Sequence, residues 1–395
     1  MDAIPPTPTA DDPGAHTIVS KIRDFPGETP LQALAKQGEY QATAMASLER
    51  FPYYTAFPFS WYVACYGDDL SPGDVKPARL LARDLVLWRA EDGTPHVMDA
   101  YCPHLGANLA LGGRVAGNSL VCPYHWWEWD GDGTNVNIPY ADRTNRSARI
   151  HAYPTIERNG FVLFWYHPDP LQPPLWDIPR LVEYFTDDWT DFIRADWQVR
   201  CPWQELAENG PDYIHLKTVH GAATVPEIEE LRLEGYFNAV RAKVDFDTPR
   251  GPQPGRIDTD GYGPGFSVAR FSGIIDTMFM AATTPIDWEW TWSIKAYKVK
   301  KLGFDEDALD RTKRLGDALI GDLKKQMAED NVIFDNKIHV PSPALADGDG
   351  PIMRYRRWAQ QFYVDGDPVA AGRTPRGSRS DDRPRTSQRE PSHER

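Results

Sequence analysis

Short apolar runs punctuated by Gly, Pro and Asp clusters fill the first part of the chain: Trp61–Tyr66, Leu85–Arg89, His96–Ala100, Leu120–Cys122 and Gly160–Tyr166. Runs of this length between turn formers read as strands, and their close spacing predicts a small antiparallel β domain over residues 55–170. The Pro-rich stretch from Leu171 reads as a connection. The pattern then lengthens. Trp288–Ile294 alternates apolar and polar with period two, and Tyr236–Phe246 and Phe266–Met280 are also strand-like. Between Asp305 and Asn336, apolar Leu315, Leu319, Leu323, Met327 and Phe334 recur at four- and seven-residue steps. That is the period of a long amphipathic helix with one inward stripe. The chain therefore reads as α+β, with a small antiparallel β domain followed by a second domain, 171–365, of antiparallel sheet with covering helices.

The two ends read differently. Residues 1–54 begin with Pro, Asp, Gly and Thr and read as a loose arm leading into the first helices. Residues 366–395 carry seven Arg against five acidic residues, with no aromatic residue, Leu, Ile or Met. Such a segment buries too little apolar surface to offset its ordering entropy, so it reads as a disordered tail.

Composition narrows the function classes. Of 395 residues, 43 are Lys or Arg and 57 are Asp or Glu, a net charge of -14. A general nucleic-acid binder needs a basic surface, so that class is disfavoured. No apolar run approaches the ~20 residues of a membrane helix, so no membrane span is expected. The start MDAIPPTPTADDPGAH has neither a basic beginning nor an apolar stretch, which argues against a secretory signal. Four cysteines, Cys65, Cys102, Cys122 and Cys201, are too few for a disulfide scaffold and suit a reducing, cytoplasmic setting. Cys65 and Cys201 have no His or Cys near them in sequence and are expected as small core residues.

The other two cysteines carry the densest chemical signal. Cys102-Pro-His104 is followed, after seventeen residues, by Cys122-Pro-Tyr-His125. Each half sets a thiolate and an imidazole in one tight loop, and two such loops can close on one inorganic centre. A zinc finger normally presents both cysteines before both histidines, whereas here the order alternates. Alternation suits a Rieske [2Fe–2S] cluster, with two Cys on one iron and two His on the other. A structural zinc site and a metal-free core remain as alternatives at this point.

The segment CPHLGANLALGGRVAGNSLVCPYHWWEWDGDGTNVNIPYADRT resembles the Rieske domain of the Rieske non-haem iron oxygenases. Within that family it is most similar to the oxygenase component of 3-ketosteroid 9α-hydroxylase, and a likeness to cholesterol 7-desaturases is also visible. The likeness extends over about residues 55–365, assigning 55–170 to the Rieske [2Fe–2S] domain and 171–365 to a catalytic domain with a mononuclear iron.

The second motif is Glu208-Asn209-Gly-Pro-Asp212-Tyr-Ile-His215-Leu-Lys-Thr-Val-His220. Asp212 and His215 are spaced i,i+3, as on one helix face, and His220 lies just before Gly221, a natural helix stop. An Fe(II) site that activates O₂ wants two His, one carboxylate and open positions. Asp330 is the expected carboxylate: it falls on the Leu319–Leu323–Met327 stripe, where a carboxylate is costly unless paired or ligated. Glu329 is one position off that stripe. Family resemblance points to the same segment for the iron carboxylate. It also implies that Asp212 is not a ligand but bridges a Rieske His of one subunit to an iron His of its neighbour in a head-to-tail homotrimer. Asn209 lies one turn before Asp212, positioned either to approach the iron or to make a local polar contact.

The implied function is the terminal oxygenase of a multicomponent system, hydroxylating a steroid-like or other apolar polycyclic substrate with O₂. Sterol desaturation, aromatic-ring oxygenation and electron transfer without a catalytic iron are the alternatives. No Gly-x-Gly-x-x-Gly fingerprint follows a strand, so electrons from NAD(P)H are expected through a separate flavin/iron–sulfur reductase or ferredoxin.

Overall fold

A computed structural model describes residues 29–37, 45–54, 56–246, 248 and 250–364. The tail 366–395 and most of the expected arm lie outside the described residues. Two helices open the described chain, α1 (Pro30–Gln37) and α2 (Ser47–Arg50). Eleven strands follow: β1 (Ser60–Tyr66), β2 (Val75–Leu80), β3 (Arg83–Arg89), β4 (Pro95–Asp99), β5 (Arg114–Ala116), β6 (Ser119–Val121), β7 (Glu128–Trp129), β8 (Asn135–Asn137), β9 (Ala152–Tyr153), β10 (Thr155–Arg158) and β11 (Phe161–Tyr166). They form three antiparallel sheets, ordered β1-β11-β10, β2-β3-β4-β9 and β5-β6-β7-β8.

Beyond the connection come α3 (Val182–Phe185), β12 (Ile193–Val199), α4 (Trp203–Ala207), α5 (Ile214–Thr218), β13 (Glu227–Glu234), β14 (Phe237–Phe246), β15 (Gln253–Tyr262), β16 (Phe266–Ser272), β17 (Thr277–Pro285), β18 (Thr291–Val299), α6 (Glu306–Phe334) and α7 (Ile352–Ala359). One seven-stranded antiparallel sheet, β12-β18-β17-β16-β15-β14-β13, holds this half together. The α+β class expected from the pattern is the class observed. The two halves share a core: Trp61, Val63, Phe161 and Leu163 of β1 and β11 pack with Phe266, Val268, Met278 and Met280 of β16 and β17.

Three expected elements differ. Phe266–Met280 is not one strand but β16 and β17, separated at Gly273, whose φ of +123° breaks the extended backbone. The alternating run from Trp288 begins as a turn. Asp287 Oδ1 accepts from the Glu289 and Trp290 amides at 2.7 and 3.0 Å, and pairing starts only at Thr291. The innermost line of α6 over its first four turns is Ala308, Thr312, Gly316 and Ile320, while Leu315 is exposed. Small residues win the inner line because helix and sheet approach closely: a Cβ at Gly316 would sit 2.8 Å from Val299 Cγ2. Leu319 and Leu323 pack along its flank.

A buried polar knot fixes the turn that carries the second motif. Arg50 donates to the carbonyls of Arg200, Phe334 and Lys337 at 3.0, 2.7 and 3.0 Å, tying α2 to the end of α6. Glu205 on α4 accepts from Tyr54 at 2.8 Å and meets His339 and Lys337 at 2.7 Å each. Arg356 on α7 forms a forked pair with Glu208 at 2.9 and 2.8 Å. Burial alone would raise the Glu205 carboxyl, but His339, Lys337 and the Tyr54 hydroxyl together hold it down to about 2. Its ionised form thus adds about 3 kcal/mol at neutral pH, present above the ordinary carboxylate range and lost as pH falls from about 4.5 toward 2. Glu205→Gln is therefore expected to lower unfolding free energy by about that amount at pH 7, with the difference from the parent narrowing in chemical melts below pH 4. An equal loss at pH 3 and pH 7 would contradict the assignment.

Candidate metal centres

The first centre lies at the tips of two loops with the same backbone turn. The Gly106 amide returns to the Cys102 carbonyl at 2.9 Å, and the Trp126 amide returns to the Cys122 carbonyl at 3.1 Å. Both turns close on a left-handed residue, Gly106 (φ 76°) and Trp126 (φ 58°). Cys102 and Cys122 are buried, and both are free thiols. The rings of His104 and His125 face each other edge-on, 4.7 Å between centroids, and His104 stacks on Trp127 at 4.3 Å. His104 Nδ1 is buried without a partner. Burial pushes the Cys102 thiol up to about 11, so without a metal it stays protonated.

Two thiols and an orphaned imidazole nitrogen are a donor set suited to a metal centre. Among the described residues, no three of these four donors fall within 4.8 Å of one another. Four ligands of one tetrahedral zinc would lie within about 4 Å, so the spacing suits a wider two-iron cluster better than a single ion. Cys201 is a core residue as expected, and Cys65 is half-buried on β1.

The second centre is built from α4, α5 and the end of α6. Among the described residues, His215, His220 and Asp330 form the one group of three or more metal-type donors within 4.8 Å. The imidazole rings stand nearly perpendicular, 5.2 Å apart at 82°. His215 is on α5; His220 lies past its end, where Gly221 (φ 73°) turns the chain and its amide caps the Lys217 carbonyl at 3.2 Å. Asp212 does not share the helix with His215, since α5 starts only at Ile214. Asp212's main-chain carbonyl accepts from His215 Nδ1, while its carboxylate stands 4.0 Å off and is 44% exposed. Asn209 donates to Asp330 Oδ2 at 2.9 Å, so it reaches the centre through that carboxylate.

Helix phase did not separate Glu329 from Asp330. The last turns of α6 dive between sheet and polar knot, so Glu329, Asp330, Asn331, Val332 and Phe334 are all buried. The two carboxylates take opposite nitrogens of His220: Glu329 Oε2 lies 2.8 Å from Nδ1 and Asp330 Oδ1 lies 3.2 Å from Nε2. Sequence reasoning missed this role for Glu329; its only signal was a second acid beside the first. Burial favours a neutral His220, but Asp330 and Glu329 outweigh it and raise its pKa; burial lowers that of His215. Two imidazoles and a carboxylate on one side of an open cavity match the donor set of a non-haem iron that activates O₂.

That cavity, of about 350 Å³, is walled by His215, His220 and Asp330 on one side and by the large sheet on the other. None of the Cys102–His125 residues lines it, so the two centres occupy separate places on the chain. Lys295 on β18 reaches into it; burial pushes its ammonium down to about 8, against the pull of Asp330.

Two family models match the chain, a Rieske [2Fe-2S] domain over residues 60–154 and a 3-ketosteroid 9α-hydroxylase C-terminal domain over residues 164–363. The chain belongs to the Rieske non-haem iron oxygenases. It is an oxidoreductase of the monooxygenase type, with a Rieske [2Fe–2S] cluster and a mononuclear iron as its cofactors. The oxygenase component of a 3-ketosteroid-9-alpha-monooxygenase from Rhodococcus rhodochrous is 29% identical over 334 residues, 81% of this chain and 84% of that protein. A cholesterol 7-desaturase from Xenopus laevis is 29% identical over 343 residues, 79% of this chain and 73% of that one. In fold, the oxygenase is similar to dicamba monooxygenase bound to dicamba (TM-score 0.59, 20% identity, 77% of this chain and 96% of that chain). It is also similar to the Pseudomonas putida CBB5 NdmA QL mutant with caffeine (TM-score 0.61, 19% identity, 80% of this chain and 91% of that chain). By its name, the Rhodococcus rhodochrous relative is one component of its enzyme. No helix among the described residues is long and apolar enough to cross a membrane.

Proposed function

We propose that this chain is the terminal oxygenase of a multicomponent, cytoplasmic system that hydroxylates a steroid-like, apolar polycyclic molecule with O₂. In this reading Cys102, His104, Cys122 and His125 hold the cluster, and His215, His220 and Asp330 hold the iron. The observation that carries it is the His215–His220–Asp330 group set in the wall of a large, mostly apolar cavity. Names of the relatives, a steroid monooxygenase and a sterol desaturase, support the substrate class. When bound, the iron supplies O₂ activation and the cluster supplies electrons one at a time.

The chain's own residues orient and shield. Glu329 holds His220 by Nδ1 and leaves Nε2 facing the centre; Asn209 holds Oδ2 of Asp330 and leaves Oδ1 on the side of His220 Nε2, 3.2 Å away. Partners that fix a ligand's outer nitrogen are worth about 10–100-fold in metal affinity. Glu329→Ala is therefore expected to weaken iron retention by about that factor, read by iron release to a chelator, with the visible spectrum of the cluster intact. Unchanged iron release would show that Glu329 does not orient His220.

A head-to-tail homotrimer completes the reading. The cluster loops expose Leu105, Tyr124 and Trp126, and Asp212 keeps a half-exposed carboxylate beside His215. An apolar loop tip on one subunit and an unsatisfied carboxylate at the iron of the next suit a heterologous ring. The test of function is turnover of 3-ketosteroids and sterols with a surrogate reductase, read by mass spectrometry. Gain of one oxygen supports hydroxylation; loss of two hydrogens without oxygen would replace it with desaturation.

A further inference from the structure

The wall opposite the iron centre has a built polar end. Alternate residues of the seven-stranded sheet face the cavity, and their register sets one row straight across five strands. Lys295 pairs with Ala281, Ala281 with Ser267, Ser267 with Gly261, and Gly261 with Asn238. All five line the cavity. The three central side chains are a methyl, a hydroxymethyl and a hydrogen, so the row forms the floor of a trough. The adjoining row begins with Tyr297 and Phe279, which form its bank. Four strand spacings of about 4.8 Å separate Lys295 from Asn238, so the trough is about 19 Å long. Its shape accepts an elongated, flat, apolar body.

The Lys295 end is electrostatically incomplete. Among the described residues no carboxylate or hydrogen-bond acceptor contacts its ammonium, which lies over the Phe279 ring, 5.2 Å to the centroid. Asp330 is committed elsewhere, to Asn209 and His220. Lys295 is half-buried in the cavity wall, and an ammonium held there without a hydrogen-bonded acceptor favours an anion beside it. Two residues back on the same strand and face, Ser293 Oγ is also buried without a partner. One cation and one hydroxyl donor at alternate positions, both unpaired and both facing the cavity, match the two oxygens of a carboxylate.

We propose that Lys295 and Ser293 form an anion-recognition site and that the natural substrate carries a carboxylate on its elongated apolar body. This rests on the oxygenase reading above and narrows its substrate class. Lys295 binds substrate here; no proton or electron transfer is assigned to it.

The test is equilibrium binding to the iron-loaded full chain, followed by tryptophan fluorescence, with matched acid and ester probes. One pair is 5β-cholan-24-oic acid and its methyl ester; the other is 2-naphthoic acid and its methyl ester. Parent protein is expected to bind the acid at least about tenfold more tightly than the ester, the scale of a hydrogen bond to a charged group. Lys295→Met should erase that preference by weakening the acid, with the ester moving less than about threefold; Ser293→Ala should cost several-fold. Lys295→Arg, which keeps the charge, should retain the preference. Iron content and the cluster spectrum report whether each variant is intact. Preference on the naphthoate pair without binding of the cholanoate pair would uphold the anion site while overturning the steroid-like body. Equal binding of acid and ester in both pairs, neither pair bound by the parent protein, or a preference that survives in Lys295→Met, would overturn the anion site itself.

Discussion

Asp330→Ala is expected to empty the mononuclear iron position and lower turnover by at least about a thousandfold, leaving the cluster's visible spectrum unchanged. The size follows from the donor count. His215 and His220 alone leave two neutral ligands for a divalent cation, and the third donor is also its charge balance. The separation follows from position: none of the cluster-loop residues lines the cavity that Asp330 faces. Iron analysis and absorbance on the same sample check both halves. Glu329→Ala is the companion, since Glu329 meets His220 at its outer nitrogen and should weaken the site rather than abolish it. If Glu329→Ala were dead and Asp330→Ala active, the two roles would be exchanged.

The second large effect is expected at Asp212. Asp212→Ala should keep both metals yet nearly stop turnover, because reduced cluster fails to reoxidise with substrate and O₂ present. Metals are retained because His215 Nδ1 is held by the main-chain carbonyl of residue 212, which alanine preserves. What the variant loses is the half-exposed carboxylate, 4.0 Å from that imidazole, which in the proposed trimer would accept an N–H from the neighbouring subunit. A positioned acceptor of this kind orients the ring it holds. Stopped-flow absorbance of the reduced variant, mixed with substrate and O₂, reads the effect directly. Reoxidation at the parent rate would remove the bridging role; loss of iron with the fold intact would make Asp212 a ligand.

The cluster loops were the most legible part of the sequence, because Cys102-x-His104 and Cys122-x-x-His125 put local donors in local turns. The small β domain was legible for the same reason: its strands are short and bounded by turn formers. Period reading failed where backbone geometry overrode it, as at the Asp287 turn and at Gly273. It also failed on α6, where close approach to the sheet gives the inner line to Ala308, Thr312 and Gly316 and leaves Leu315 outside. The His215–His220–Asp330 group was half legible. His215 and His220 lie close in sequence, but Asp330 joins them from 110 residues further on, and only tertiary packing sets Glu329 and Asp330 on opposite nitrogens of one ring. Lys295 carried no signal at all, since its partners across the trough are set by strand register.

Iron and acid-labile sulfide per chain test the central claim most directly. A fully loaded sample should contain about three irons and two sulfides per chain, two irons in the cluster and one held by His215, His220 and Asp330. Two irons with two sulfides, in protein whose His215→Ala variant binds the same amount, would contradict it.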